Sequence, residues 1–163
     1  MPVGGGVEQC TNAKVAAAAG SLLVVATDGV QAPNDNKLIE PMVGKIGALP
    51  EELGRAETLL ADTGCFSAGN VEACDNARIE PVIAMGRQPH HPLQAERFEK
   101  AAAADNPTPV EAMAHRLKTP AGRALCALRK QTPEPVFGII KSVLGFRQFP
   151  LRGLDKARGE WSL

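Results

Sequence analysis

The stretch ETLLADTGCFSAGNVEACDNARIEPVIAM, residues 57–85, contains the strand and helix signals that decide the predicted fold. It opens with a short apolar run that ends in Asp62 and a glycine turn, which predicts a buried strand. Ser67 is a typical N-cap for a helix over residues 67–78, and EPVIAM, residues 80–85, predicts a second strand. A strand, a helix and a strand at this spacing predict a βαβ unit with parallel strands and a right-handed crossover.

Further strand and helix signals precede this unit. KVAAAAGSLLVVAT, residues 14–27, predicts a hairpin of two strands that meet near Gly20, the second strand covering Leu22–Thr27. APND, residues 32–35, predicts a turn, and apolar spacing predicts a helix over residues 36–49. Together with the βαβ unit, these elements predict an α/β protein.

Three Thr-Pro pairs in the C-terminal part predict three helix starts. Thr108 and Glu111 form the sequence of a capping box, with a proline at the first helical position. The second helix is expected to begin at Thr119 and the third at Thr132. The third helix should present a broad apolar face between Val136 and Leu144.

The charges of the chain are distributed unevenly. The 163 residues, enough for one domain with one core, have a formal net charge of zero. From Met113 to Leu163, however, there are ten Lys and Arg against three Asp and Glu. A basic helical segment over residues 110–163 favours a polyanionic partner, although a solvated basic helix face would look the same. Residues 86–109, with four prolines including those flanking His90 and His91, are predicted to be a mobile insertion.

The four cysteines and the apolar runs exclude several classes of protein. No C-x-x-C pair occurs, which argues against a zinc site. The longest apolar run, residues 15–26, is too short to span a bilayer, and the first ten residues lack the positive charge of a signal peptide. A cytoplasmic protein without a membrane partner is therefore expected.

Two carboxylates stand where they could act chemically. Asp62 ends a predicted buried strand, and ligands of open α/β sheets bind at the carboxyl ends of strands. Glu134 lies in the first turn of a predicted helix, with Lys141 seven residues later and therefore on the same helix face. Position alone also allows simpler roles, since Asp62 would cap the next helix and Glu134 would complement the helix dipole.

The sequence resembles the catalytic domain of DDE transposases of bacterial insertion sequences. The resemblance rests on five stretches, above all IEPVIAMGRQPHH, residues 79–91, and HRLKTPAGRALCALRKQTPEPVFGIIKSVLGFRQF, residues 115–149. It implies an RNase H-like mixed sheet with flanking helices, and DNA strand cleavage and transfer at element ends. It also implies that Asp62 and Glu134 are the second and third carboxylates of a catalytic triad that holds Mg²⁺ or Mn²⁺.

The resemblance and the local charge together imply a set of DNA-binding side chains. Lys130 and Lys141 match the basic signature around the glutamate, and Arg129 and Arg147 extend it. The expected partners are DNA at element ends and targets, with a second copy or an intact transposase. The first strand of the fold and its catalytic Asp are expected to lie before Met1, so the fold should be incomplete and the chain inactive alone. Asp28 is a weak replacement and is expected to be a turn-forming acid.

Two other functions are compatible with the same residues. The chain could be a non-catalytic fragment that binds DNA or interferes with an intact transposase through the basic helices of residues 119–158. It could also be an unproductive remnant, because a missing central strand leaves an open hydrophobic edge.

Overall fold

The computed structural model describes residues 2–3, 6–7, 11–31, 38–86 and 106–162. It contains helices and short strands, which confirms the α/β class. The predicted turn over residues 32–35 and most of the predicted insertion, including His90 and His91, lie outside the described residues. The strands are β1 Pro2–Val3, β2 Gly6–Val7, β3 Asn12–Ala17, β4 Val24–Val30, β5 Thr58–Ala61 and β6 Glu80–Ile83. The helices are α1 Ile39–Gly47, α2 Ala68–Asn76, α3 Pro109–Lys118, α4 Pro120–Gln131, α5 Pro133–Gly138 and α6 Leu154–Trp161.

The chain divides into two compact units. The larger unit is Asp35–Gln131, and the smaller unit combines Met1–Asn34 with Thr132–Leu163. The described strands form three two-stranded sheets, β1–β2, β3–β4 and β5–β6. One mixed sheet was expected, whereas the antiparallel and parallel pairings seen here belong to separate sheets.

The larger unit is built on the predicted βαβ motif. β5 and β6 pair in parallel, with Leu60 opposite Val82. The Ser67 hydroxyl accepts a hydrogen bond from the Asn70 N–H at 3.2 Å and so caps α2, as predicted. The predicted helix over residues 36–49 is also confirmed, as α1.

The core of the larger unit lies where these elements meet α3. Its members are apolar side chains from β6, from the residue before β6 and from helices α1, α2 and α3. Burying them supplies the main driving force for folding. Val82, Ile83 and Cys74 are at most 1% exposed. The buried cluster comprises Ile39, Val43, Val71, Cys74, Ile79, Val82, Ile83, Met113 and Leu117.

Helices α3 and α4 begin at the two predicted Thr-Pro pairs. The capping box is formed, because Glu111 accepts from the Thr108 N–H at 2.9 Å and the Thr108 hydroxyl accepts from the Glu111 N–H. Between the helices, the Thr119 hydroxyl donates to the Arg116 carbonyl at 2.7 Å and accepts from the Gly122 N–H at 3.0 Å. This tight corner sets the direction in which α4 leaves α3.

The smaller unit contains the predicted hairpin, β3 paired antiparallel with β4. Its second strand begins at Val24 rather than Leu22. The reason is that Leu22 has a φ of 60°, and its N–H donates to the Ala18 carbonyl within the turn. The turn therefore uses two residues that the apolar pattern had assigned to the strand.

Asp28 is not a turn-forming acid, contrary to the prediction. It lies within β4 opposite Lys14, accepts a hydrogen bond from the Gly29 N–H at 2.8 Å, and forms an ion pair with Arg158 at 3.4 Å. Its side chain is only 11% exposed. Pairing with a cation compensates the carboxylate for this partial burial.

The third predicted helix is interrupted. After α5 the chain continues as a π-helical turn, Ile139–Val143, whose wider turn alters the α-helical spacing of side chains. Val136 is buried, but Val143 and Leu144 are 75% and 70% exposed. The continuous apolar face predicted between Val136 and Leu144 is therefore wrong.

A basic helical segment was predicted over residues 110–163, but helix α6 within it was not placed from the sequence. It packs against β4, and two side-chain hydrogen bonds tie it to the hairpin. Arg158 Nε donates to the Gly29 carbonyl, and Trp161 Nε1 donates to the Lys14 carbonyl, both at 2.7 Å. Within the described parts of the chain, no helix combines the length and apolar character needed to cross a membrane.

Candidate functional site

Asp62 occupies the predicted position at the end of a strand. It directly follows β5 and caps the 3₁₀ turn Thr63–Cys65, its Oδ1 accepting from the Thr63 N–H at 2.9 Å. The side chain is 76% exposed. The carboxylate therefore caps a turn rather than the next helix, and its side chain remains exposed to solvent.

Arg129 on α4 forms an ion pair with Asp62. Its Nη1 donates to the same Oδ1 atom that caps the turn. The arginine side chain is only 18% exposed, and its Nε is buried without a hydrogen-bond partner among the described residues. A buried donor without a partner costs about 1–3 kcal/mol, so this arginine is held at some cost beside the carboxylate. Arg129, a predicted DNA-binding residue, thus lies beside a predicted catalytic one.

Glu134 lies on α5, in the smaller unit. Its side chain is exposed, and within the described part of that unit its carboxylate has no hydrogen bond or ion pair. Lys141 lies beyond it in the π-helical turn, with Nζ 5.6 Å from the centroid of the Phe137 ring. Because of that turn, seven residues no longer equal two α-helical turns, and the predicted alignment of Glu134 and Lys141 on one face loses its basis.

The remaining two predicted DNA-binding residues are Arg147 and Lys130. Arg147 is exposed, and its Nε donates to the Lys141 carbonyl at 3.2 Å. Lys130 belongs to α4, but its side chain lies outside the described part of the structure. The structure therefore brings Lys141 and Arg147 together within the smaller unit.

A groove of about 950 Å³ lies beside Lys141 and Arg147. Its lining combines cations with aromatic rings, and no Asp or Glu is among the described residues that line it. Phe146 and Phe149 pack against each other with centroids 5.4 Å apart, and both lie near the Trp161 ring. The lining side chains with charge or aromatic character are Lys141, Arg147, Arg152, Phe137, Phe146, Phe149 and Trp161.

Two of these features escaped the sequence analysis. The Asp62–Arg129 pair joins residues 67 positions apart, and no local pattern encodes such a contact. The groove depends on Trp161, which belongs to the unpredicted α6. The density of Phe, Trp, Lys and Arg between residues 137 and 161 was a signal that could have indicated it.

The donor chemistry of the two carboxylates fits a hard divalent cation. Mg²⁺ and Mn²⁺ prefer carboxylate oxygens, and both Asp62 and Glu134 present exposed carboxylates. Across residues 11–31, 38–86 and 106–162, no group of three or more His, Cys, Asp or Glu side chains is placed to hold a metal ion.

A basic groove with aromatic residues is a feature of surfaces that bind single-stranded nucleic acids. Residues 93–163 match the family model described as the transposase DDE domain. The resemblance to DDE transposases is thereby confirmed for this part of the chain, which contains Glu134, Lys141 and Arg147, whereas Asp62 lies before it. No curated protein and no solved structure matches the chain.

Proposed function

We propose that this chain carries the second and third catalytic carboxylates of a DDE transposase, Asp62 and Glu134, within an RNase H-like catalytic domain. The observation that carries the proposal is the family match over residues 93–163, which includes Glu134 in the motif PEPVFG. The exposed position of Asp62 at the end of β5 supports its assignment to the same site.

In this proposal, Asp62 and Glu134 hold Mg²⁺ or Mn²⁺. When bound, such a cation supplies Lewis acidity that polarises a phosphoryl oxygen. The chain's own residues provide the rest. Thr63 orients Asp62 through its N–H, and the exposed cations of the smaller unit contact DNA phosphates.

The groove supports the assignment of Lys141 and Arg147 to DNA binding. Their exposed cations lie together with Arg152 on a lining that contains no Asp or Glu among the described residues, which favours phosphate binding. Glu160 lies close to this lining, because its Oε1 accepts a hydrogen bond from the Leu151 N–H at 3.1 Å. The neighbouring aromatic rings give bases a surface for stacking. Lys130 is proposed as a further DNA-binding cation on the grounds of sequence alone.

Unfolding in urea, followed by far-UV circular dichroism with and without Mn²⁺, tests the metal site. A ligand that binds only the folded state raises the urea midpoint. Mn²⁺ should raise the midpoint of the wild-type chain, and Asp62→Asn or Glu134→Gln should each abolish that shift. Asp75→Asn, which removes an exposed acid on α2, is the matched control and should retain it. A shift that survives both site variants would refute the metal assignment.

A second function, DNA binding without cleavage, is favoured by a specific observation. The Asp62 carboxylate is already paired with Arg129, and this pairing opposes metal binding. The chain would then bind DNA, or interfere with an intact transposase, through its basic groove. Such binding needs neither Asp62 nor a metal ion.

The fluorescence of Trp161 separates the two functions, because it is the only tryptophan and the chain has no tyrosine. DNA bound in the groove should change this emission, and Arg147→Glu should weaken binding strongly. Arg55→Glu, at an exposed arginine of the larger unit, is the control. Binding that is retained in Asp62→Asn, without any metal-dependent nicking by the wild-type chain, would favour the non-catalytic function.

A further inference from the structure

We infer that Arg129 is a positioning residue for Asp62: it fixes the orientation of the carboxylate and, through its charge, weakens the binding of a divalent cation there. The inference rests on the proposed function, in which Asp62 is a metal ligand. It assigns to Arg129 a role besides contact with DNA. Three features of the larger unit support this role. They are the different surroundings of the two Asp62 oxygens, the burial of the Arg129 side chain, and the Nε of Arg129, which has no partner among the described residues.

The two oxygens of Asp62 have different surroundings. Oδ1 accepts from both the Thr63 N–H, at 2.9 Å, and Nη1 of Arg129. Oδ2 has no hydrogen-bond partner among the described residues. Two donors on one oxygen fix the plane of the carboxylate, and they leave the other oxygen for a ligand that approaches from solvent.

The charge of Arg129 acts directly on any cation at that free oxygen. The guanidinium is always protonated, and at 18% exposure it is screened less than a surface charge. It both neutralises the carboxylate and repels a divalent ion bound to it. The pair therefore lowers the affinity of Asp62 for a metal ion.

The unused donor shows that Arg129 is not fully satisfied beside Asp62. Its Nε is buried and has no partner within the described structure. Most buried N–H groups in proteins are paired, so this arrangement is not one that maximises hydrogen bonding for the arginine. Holding the Asp62 carboxylate in one orientation is a role that explains why Arg129 is buried beside it although its Nε has no hydrogen-bond partner among the described residues.

The inference is tested by measuring Mn²⁺ affinity in variants that separate charge from hydrogen bonding. Arg129→Gln keeps an amide donor for Asp62 and removes the charge, whereas Arg129→Lys keeps the charge. Arg129→Gln should bind Mn²⁺ at least about threefold more tightly than the wild-type chain, because it removes a partly buried cation that repels the metal ion. Arg129→Lys should bind like the wild type, as should Arg123→Gln, an exposed arginine on the same helix.

A second measurement uses the unaltered chain and so does not depend on the folding of a variant. Coupling between two binding events is reciprocal, so Mn²⁺ should weaken the Arg129–Asp62 pair. The rate at which phenylglyoxal modifies Arg129, followed by mass spectrometry, should therefore rise when Mn²⁺ is added, while the rate at Arg123 stays unchanged. An unchanged rate at Arg129 contradicts the inference.

The outcomes also distinguish this inference from the proposed function. In the Arg129→Gln background, Asp62→Asn should abolish the added Mn²⁺ affinity. If Asp62 is required but Arg129→Gln and Arg129→Lys bind Mn²⁺ equally, the inferred effect of the Arg129 charge on metal affinity is wrong and the metal site stands. If Mn²⁺ binds as well without the Asp62 carboxylate, the proposed function fails as well.

Discussion

At the scale of single residues, the Cys74 thiol shows how burial alters chemistry. It is fully buried in the core of the larger unit, and burial, assisted by the charge of Asp75, raises its pKa to about 11. Cys65 and Cys126 are half-buried, and neither forms a disulfide in the described part of the chain. Because the thiolate is the reactive form, Cys74 should be far less reactive than an ordinary cysteine.

This difference predicts the pattern of alkylation. At about pH 8, only about one Cys74 thiol in a thousand is ionised in the folded chain, so iodoacetamide should modify Cys65 and Cys126 well before Cys74. In unfolding concentrations of urea, the three should react at similar rates. Mass spectrometry of partially labelled chain measures this order. Early labelling of Cys74 without denaturant would show that α2 does not pack as described.

Contacts between side chains could be predicted only where the two residues lie close together in the sequence. Asp62 was identified at a strand end because the apolar run before it and the glycine after it are adjacent. Its pairing with Arg129 could not be identified, since that arginine is placed by elements that include β6, the described helices α2 and α3, and the corner before α4. The partner of Asp28 was missed for the same reason, because Arg158 lies on α6.

At the scale of elements, the capping box that starts α3 makes stability depend on pH. The pKa of Glu111 is lowered below its usual value near 4.5, first by the hydrogen bond from the Thr108 N–H and then by that from the Thr108 hydroxyl. A carboxylate with a lower pKa in the folded state stabilises folding above the unfolded pKa. That stabilisation is lost as the pH falls through the folded pKa.

Removing the cap should reveal this contribution. Thr108→Ala should lower the free energy of unfolding by about 1 kcal/mol near neutral pH, because it removes an N-cap oxygen. The loss of stability on acidification should also be smaller in this variant, since Glu111 loses the hydroxyl contact. Urea titrations at a series of pH values measure both effects. The exposed Glu72→Gln should retain the wild-type pH dependence, and an equally steep acid loss in Thr108→Ala would contradict the assignment.

The corner between α3 and α4 leaves no room for a side chain at Gly122. A Cβ atom there would lie 2.0 Å from the Arg116 carbonyl oxygen, so backbone must shift. Gly122→Ala should destabilise the chain by about 2 kcal/mol, in the range of overpacking variants. Gly44→Ala in α1 is the matched control, because its Cβ meets nothing within 4 Å, and it should be stabilising by about 0.5–1 kcal/mol. Equal effects in urea unfolding would disprove the close approach.

Elements with strong local signals were predicted, and elements without them were not. Thr-Pro pairs and apolar runs identified α1 to α4 and the β5–α2–β6 motif. Helix α6, with the sequence LDKARGEW, offers few apolar residues, and its stability comes from packing against β4. The π-helical turn after α5 has no distinctive sequence pattern at all, so the predicted face over residues 136–144 failed there.

At the scale of the whole molecule, the uneven charge and the family resemblance indicated the class of partner, whereas the sequence did not predict how the strands are arranged in sheets. The basic C-terminal segment led to the expectation of a DNA partner, and the family match covers all of that segment. The sheet architecture was less predictable. Local patterns define strands and hairpins, but which strands join into one sheet depends on long-range pairing that no short stretch encodes.

We propose that Asp62 and Glu134, 72 residues apart in sequence, are ligands of Mg²⁺ or Mn²⁺. Cleavage of the polypeptide by hydroxyl radicals from bound Fe²⁺ tests it most directly, because radicals cut only backbone close to the metal. We predict cuts around both Asp62 and Glu134, suppressed by excess Mg²⁺ and lost in Asp62→Asn. Cuts near only one of these carboxylates, or a pattern insensitive to Mg²⁺, would contradict the claim.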